Sequence, residues 1–183
     1  LKQFSDMIKF FNDKVEVIVY PAWDCLPYSN ISPRKEIISK RYSAIRALEG
    51  VSKSYKILLL SVDSVIQKIV PIKEILQNSF SLKINQKVIL SNLIEWLEKT
   101  GYSRQTNVYS IGEYALRGGI LDVFVPEIKY PIRLDFFGTR LEKIRTFDPS
   151  SQRSNGFIKD VNIFPVSEII LDEETINIFR QNY

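Results

Sequence analysis

Histidine is absent from the 183 residues, and there is one cysteine, Cys25. Without histidine there is no Ser-His-Asp or Cys-His catalysis, no histidine general acid–base chemistry and almost no route to a zinc site. A single cysteine forms no internal disulfide and no thiolate cluster. That excludes a disulfide-stapled secreted fold and makes a reducing cytoplasm the expected compartment. Cys25 has two readings, a reactive thiol or a small packed side chain, and a lone cysteine more often packs. Glycine is scarce, at seven residues. None falls in a G-x-x-x-x-G-K-[ST] or G-x-G-x-x-G pattern, whose backbone N–H groups would cradle phosphates. No acidic pair closes an apolar strand in the manner of a magnesium site. KILLL (56–60) runs into Ser61, Val62 and Asp63, and Asp63 reads as a first-turn acid favoured by the helix dipole. These residues alone are not expected to hydrolyse ATP, hold a cofactor or bind a metal. No stretch approaches the roughly 18 apolar residues of a membrane helix. The opening LKQFSDMIKFF reads as an amphipathic helix rather than a signal peptide. A start at Leu1 in place of Met suggests a piece of a longer protein.

What is present is the composition of a globular domain, 45% hydrophobic and 25% charged, with a net charge of +4. A mildly basic surface permits contact with nucleic acid or an acidic protein without requiring either. Basic residues gather at Arg34, Lys35, Lys40, Arg41 and Arg46. They are either the solvated face of one helix or a duplex-binding surface on which Arg34, Lys35 and Arg41 would touch phosphates.

The first half alternates strand and helix. EVIVYP (16–21) and KILLL read as buried strands. Between them, Ser32-Pro33 reads as a helix start, with Ile38, Tyr42, Ile45 and Leu48 at helical spacing and Gly50 as the stop. Ser61 is a cap for a further helix holding Val62, Val65, Ile66 and Ile69, ending before Pro71. This rhythm predicts a parallel α/β layer. KEIL (73–76) reads as a helical turn, SFSLKI (79–84) as a strand, and SNLIEWLEKT (91–100) as a helix stopped by Gly101. Beyond Gly101 the period changes. Short strands are expected at 108–110, 114–117, 120–125, 132–137 and 141–147, with tight turns at Gly118-Gly119 and Gly138-Thr139. VNIFPV (161–166) is another strand, and 172–183 reads as a helix. The fold class expected is α/β, with a small, mainly antiparallel β-rich domain inserted. The boundaries fall at 1–88, 89–157 and a return to the first domain over 158–183.

Strand alternation then selects a candidate site. Ile132, Leu134 and Phe136 share one face, the core face, and Arg133, Asp135 and Phe137 share the other. A two-residue Gly118-Gly119 turn pairs Arg117 with Ile120, Leu116 with Leu121 and Ala115 with Asp122. Leu116, Leu121 and Val123 then point inward, and Arg117 and Asp122 outward. If the strands are neighbours, the outer face carries Arg117, Arg133 and Phe137, with Asp122 and Asp135 in support. Arginines around an aromatic ring have the composition of a protein-binding hot spot. The plainer reading is a solvated sheet surface with exposed Arg117–Asp122 and Arg133–Asp135 pairs, each contributing about 0–1 kcal/mol.

GEYALRGGILDVF, followed by PIRLDFFGTRLEKIRTFDPSSQRS, resembles the UvrA-binding domain shared by UvrB and transcription-repair coupling factors. YPAWDCLPYSNISPRKEIISKRYSAIRAL resembles the coupling factors' own first domain, and DEETINIFRQNY also fits that family. UvrB proper is a poorer match, because PAWDCLPYSN lacks its tyrosine-rich damage-clamping hairpin. The resemblance implies a degenerate, RecA-like helicase domain without ATPase motifs, and an inserted domain that binds UvrA through Arg117, Arg133 and Phe137. It further implies a parent that uses ATP and magnesium to translocate on double-stranded DNA, displaces stalled RNA polymerase and masks its UvrA-binding face with a C-terminal domain. On this reading the chain is a non-catalytic adaptor. A DNA-binding module and a UvrB-like damage-recognition fragment are the alternatives.

Overall fold

The computed structural model describes residues 1–26, 30–51, 54–69, 71, 73, 78–168, 176–177 and 180–181. The chain divides into two compact units, Leu1–Ile75 and Leu76–Tyr183. The division falls ahead of the expected boundary at 88/89. The turn expected at 73–76 and the helix expected at 172–183 lie largely outside the described residues.

The first unit contains α1 (Lys2–Phe11), β1 (Glu16–Tyr20), α2 (Lys35–Glu49), β2 (Lys56–Leu60) and α3 (Val62–Ile66). β1 and β2 pair in parallel, Glu16 opposite Lys56 through Tyr20 opposite Leu60. The crossover helix α2 buries Ile38, Tyr42, Ala44 and Ile45 against Ile18 and Tyr20. The parallel α/β layer is therefore present, although β2 is half-buried rather than buried. α2 starts two residues after Ser32-Pro33 and lacks a side-chain N-cap. It ends at Gly50, whose N–H donates to Arg46 O at 3.0 Å. Lys56 Nζ donates to the Ala47, Leu48 and Gly50 carbonyls and closes that end of the helix. α3 begins at Ser61 with a reciprocal Ser61–Ser64 capping box. It is shorter than expected. Gln67 turns to extended backbone, and its Oε1 accepts from the Trp23 N–H and from Arg41. Val62, Val65, Ile66 and Ile69 are exposed.

The second unit contains β3 (Phe80–Lys83), α4 (Leu90–Lys99), β4 (Ser103–Arg104), β5 (Glu113–Arg117), β6 (Ile120–Val123), β7 (Ile132–Phe137), β8 (Arg140–Phe147), β9 (Ser154–Ile158) and β10 (Asp160–Ile163). β4 to β9 form a six-stranded sheet in chain order. Its pairings are antiparallel except β4 with β5. One face packs Leu121, Val123, Ile132, Leu134 and Ile144 against Leu93 and Leu97 of α4. β10 pairs antiparallel with β3, and Ile163 and Val166 join the same core. Tyr102 Oη donates to Phe164 O at 2.7 Å, and Val166 N to Thr100 O at 2.9 Å. Residues 160–166 thus belong to the second unit and do not return to the first. The strand expected at 108–110 is irregular backbone that leads into a turn at 111–112. The Glu113 carboxylate accepts from the Tyr109 and Ser110 N–H groups at 2.8 and 2.9 Å, which bends the chain back.

Both tight turns place a glycine of positive φ first, Gly118 and Gly138 at 59° each, and their second residues are not left-handed. That is the type II′ pattern. Gly119 is needed for another reason, since a Cβ there would lie 2.7 Å from Phe136 O. Gly119→Ala should therefore lower stability by about 2 kcal/mol. Gly118→Ala, strained but sterically open, should cost about 1 kcal/mol. Urea unfolding of the two variants compares them directly, and equal losses would contradict the close approach.

Candidate functional site

The second face of the six-stranded sheet carries the charged residues that alternation assigns to it. The register sets Asp122 on β6 opposite Arg133 on β7, and Arg133 opposite Arg145 on β8. Arg117 lies opposite Ile120, as the two-residue turn requires. The arrangement differs from a solvated surface in one respect. The Asp122 side chain is 1% exposed. Ala115 lies across from it on β5, and Val108, Ala115 and Phe147 form a small buried cluster with Phe124 at its side. A buried carboxylate needs compensating partners, and the two arginines supply them. Arg133 Nε and Nη2 donate to Asp122 Oδ1 and Oδ2 at 2.7 and 2.9 Å, a two-pronged pair. Arg117 Nη2 adds a bond to Oδ2 at 2.8 Å.

The arginines differ in what they leave available. The Arg133 side chain is 15% exposed. Its guanidinium lies 4.6 Å above the Phe147 ring, and Nη1 donates to Gln152 O. The hydrogen bonds that Arg133 donates to Asp122 raise the Arg133 pKa above its ordinary value. The Arg117 side chain is 50% exposed and presents the open part of its guanidinium to solvent. Phe137 is 76% exposed, at the end of β7 beyond Asp135. Asp135 does not pair with Arg133. Both its oxygens lie 2.8 Å from Arg145 Nη2, a partner that strand alternation around Arg133 alone does not reveal. Arg117, Asp122 and Arg133 thus form one bonded cluster, Asp135 and Arg145 a second, and Phe137 stands clear as an apolar projection.

The basic helix divides differently. Arg41 is fully buried. Its guanidinium lies 4.4 Å from the Tyr20 ring centre and 5.2 Å from that of Trp23. Its Nη1 donates to Pro21 O and Gln67 Oε1 at 3.0 Å each. Arg41 is therefore a core residue and not a phosphate contact, because its head group has no path to a ligand. Arg34 precedes α2 and pairs with Asp24. Hydrogen bonding from Arg34 holds the Asp24 carboxyl below its usual range. Lys35 is half-buried at the first position of α2. Cys25 is also half-buried. Among the described residues no group of acidic or cysteine side chains has the geometry of a metal site, and no helix is long and apolar enough to cross a membrane.

An antiparallel sheet whose outer face holds a buried carboxylate under arginines, beside an exposed aromatic ring, has the make-up of a protein-interaction domain. Residues 80–169 match the family described as the UvrB interaction domain, and the second unit belongs to that family. Over most of its length the chain is related to transcription-repair-coupling factors. It is 35% identical to that of Haemophilus influenzae over 168 residues, which is 92% of this chain and 14% of the relative. It is 32% identical to that of Escherichia coli over 181 residues, 99% of this chain and 16% of the relative. The Myxococcus xanthus factor is 34% identical over 159 residues, 87% of this chain and 13% of the relative. The chain therefore spans only about a seventh of the length of these relatives.

Removing the buried carboxylate should matter more than removing the exposed cation it holds. Asp122→Ala should lower stability by about 3 kcal/mol, since it leaves Arg133 unpaired against the sheet. Arg117→Ala should lower it by no more than about 1 kcal/mol. Denaturant midpoints of the two variants check the order, and a harmless Asp122→Ala would remove Asp122 as the organising group.

Proposed function

We propose that the face built on Asp122 docks UvrA, with Arg117 and Phe137 as direct contacts and Arg133 holding the arrangement from beneath. The single observation that carries this reading is the bonded Arg117–Asp122–Arg133 cluster on the sheet face that also carries the exposed Phe137 ring. Its location in a UvrB interaction domain and the kinship with transcription-repair-coupling factors support it. The arginines outnumber the carboxylate they enclose, so the cluster is net cationic and favours a partner that brings a carboxylate. Phe137 supplies apolar area next to it.

On this reading the chain is a non-catalytic adaptor that brings UvrA to stalled RNA polymerase in transcription-coupled excision repair. The first unit, a strand–helix–strand layer whose sequence has no phosphate loop, serves as a degenerate RecA-like scaffold. ATP and magnesium binding, translocation on double-stranded DNA and contact with RNA polymerase belong to other parts of a longer parent. A C-terminal domain of that parent masks the UvrA-binding face until recruitment is required. The cytoplasm is the compartment that this work requires. A duplex-binding role for α2 is less well supported, with Arg41 buried and Arg34 engaged by Asp24.

Size-exclusion co-elution and titration calorimetry with purified UvrA test the proposal. Arg117→Ala and Phe137→Ala should each weaken binding by about 2 kcal/mol, roughly thirty-fold, with unchanged unfolding midpoints for Phe137→Ala. Undiminished binding by the double variant would move the site elsewhere. No binding by the folded wild-type chain would end the adaptor reading.

A further inference from the structure

The row of cross-strand neighbours that contains Asp122 and Arg133 does not stop at β7. Arg145 on β8 lies opposite Arg133, and Phe157 on β9 lies opposite Arg145. Directly opposed residues of an antiparallel pair point to the same face. Ile144 and Ile158, their neighbours along the strands, pack into the main core. Arg145 and Phe157 therefore share the face of Asp122, Arg133 and Phe137. Phe157 is 76% exposed, as much as Phe137.

We infer that the docking face extends across β8 and β9, and that Phe157 is a second aromatic anchor with Arg145 as the cation beside it. This rests on the reading of the face as the UvrA-docking surface. Three observations carry it. First, Phe157 continues a row of directly opposed residues that begins at the buried carboxylate, so it is placed by the same register that places Arg133. Second, Arg145 keeps a solvent-facing part: its pair with Asp135 is made through Nη2, and its side chain is still 27% exposed. Third, the spacing suits one footprint. Strands lie about 4.8 Å apart and residues rise about 3.3 Å along each, so Phe137 and Phe157 stand roughly 16 Å apart. That fits within the ~800 Å² each partner contributes to a standard interface.

The face carries Arg117, Arg133, Lys143 and Arg145 against Asp122 and Asp135, so it remains net positive across its width. The partner surface it fits is acidic and has two apolar recesses, one for each ring. Phe137 anchors the end of β7 near the tight turns, and Phe157 anchors the outermost strand. Two separated anchors fix the partner's rotation about the cluster as well as its position, which one ring and two arginines do less well.

The test uses the full chain and purified UvrA in titration calorimetry at low and moderate salt. Phe157→Ala should weaken binding at least ten-fold, and Phe157→Leu should recover most of the loss. The unfolding midpoint should not change, because the ring is exposed. Arg145→Ala should weaken binding several-fold and flatten its salt dependence. Phe137→Ala serves as the internal comparison. If Phe137→Ala loses binding while Phe157→Ala stays within two-fold of wild type, the face ends at β7 and the inference is overturned, though the docking proposal stands. If the wild-type chain does not bind UvrA, both are overturned.

Discussion

The sheet of the second unit is organised around one buried carboxylate. Asp122 sits on a strand whose alternate residues, Leu121 and Val123, are core, and its own side chain is sealed on the opposite face. A one-residue slip of β6 would carry the carboxylate into the apolar core and Leu121 onto the arginines, so the wrong register is strongly disfavoured. In the correct register Arg133 is directly across and Arg117 is within reach from the other neighbour. Three consecutive strands are tied at one point by charge-assisted hydrogen bonds. The side chains proposed to dock a partner are also those that define the pairing.

Over Asp122 the second face is covered by residues from outside the β5–β6 turn, and the sheet has two register irregularities nearby. The β7–β8 register shifts at Asp135/Phe136, and the β8–β9 register at Thr146/Phe147. After the latter, Phe147 packs with Val108 and Ala115 beneath Arg133. Gln152, which has a positive φ of 59°, carries the 148–153 turn across and donates to Val108 O. Bulges of this kind re-aim side chains next to sites.

Much of this was legible from residue order. The Gly118-Gly119 turn fixed the β5–β6 register by counting, and period-two alternation separated Leu134 from Arg133 without further help. The family resemblance agreed with Arg117, Arg133 and Phe137 as the residues of interest. What order alone did not disclose depends on distant chain. Asp122 looks solvated until Val108 and Phe147 arrive from outside the hairpin. Asp135 looks like the natural partner of Arg133 until β8 brings Arg145 alongside. Arg41 shows the same limit in the first unit. Helical spacing placed it on a basic helix, but the Tyr20 and Trp23 rings that enclose it come from β1 and the loop after it. The grouping of residues 160–166 with the second unit is hidden for a related reason. Nothing local in VNIFPV tells that it will pair with FSLK, almost 80 residues earlier.

The fixed pose of Arg133 has a kinetic consequence. A long cationic side chain free in solution loses roughly 0.5–1.5 kcal/mol of rotamer freedom when a partner immobilises it. Arg133 has already lost that freedom on folding, held between Asp122 and an aromatic ring, and Arg117 has lost part of it. On the docking proposal, an incoming surface therefore meets a rigid template. Little of the encounter is spent searching conformations, so association can run near the rate that charge steering sets. Lifetime then becomes the variable that sequence can tune, through the exposed aromatic rings, whose substitution disturbs neither the template nor the fold beneath it.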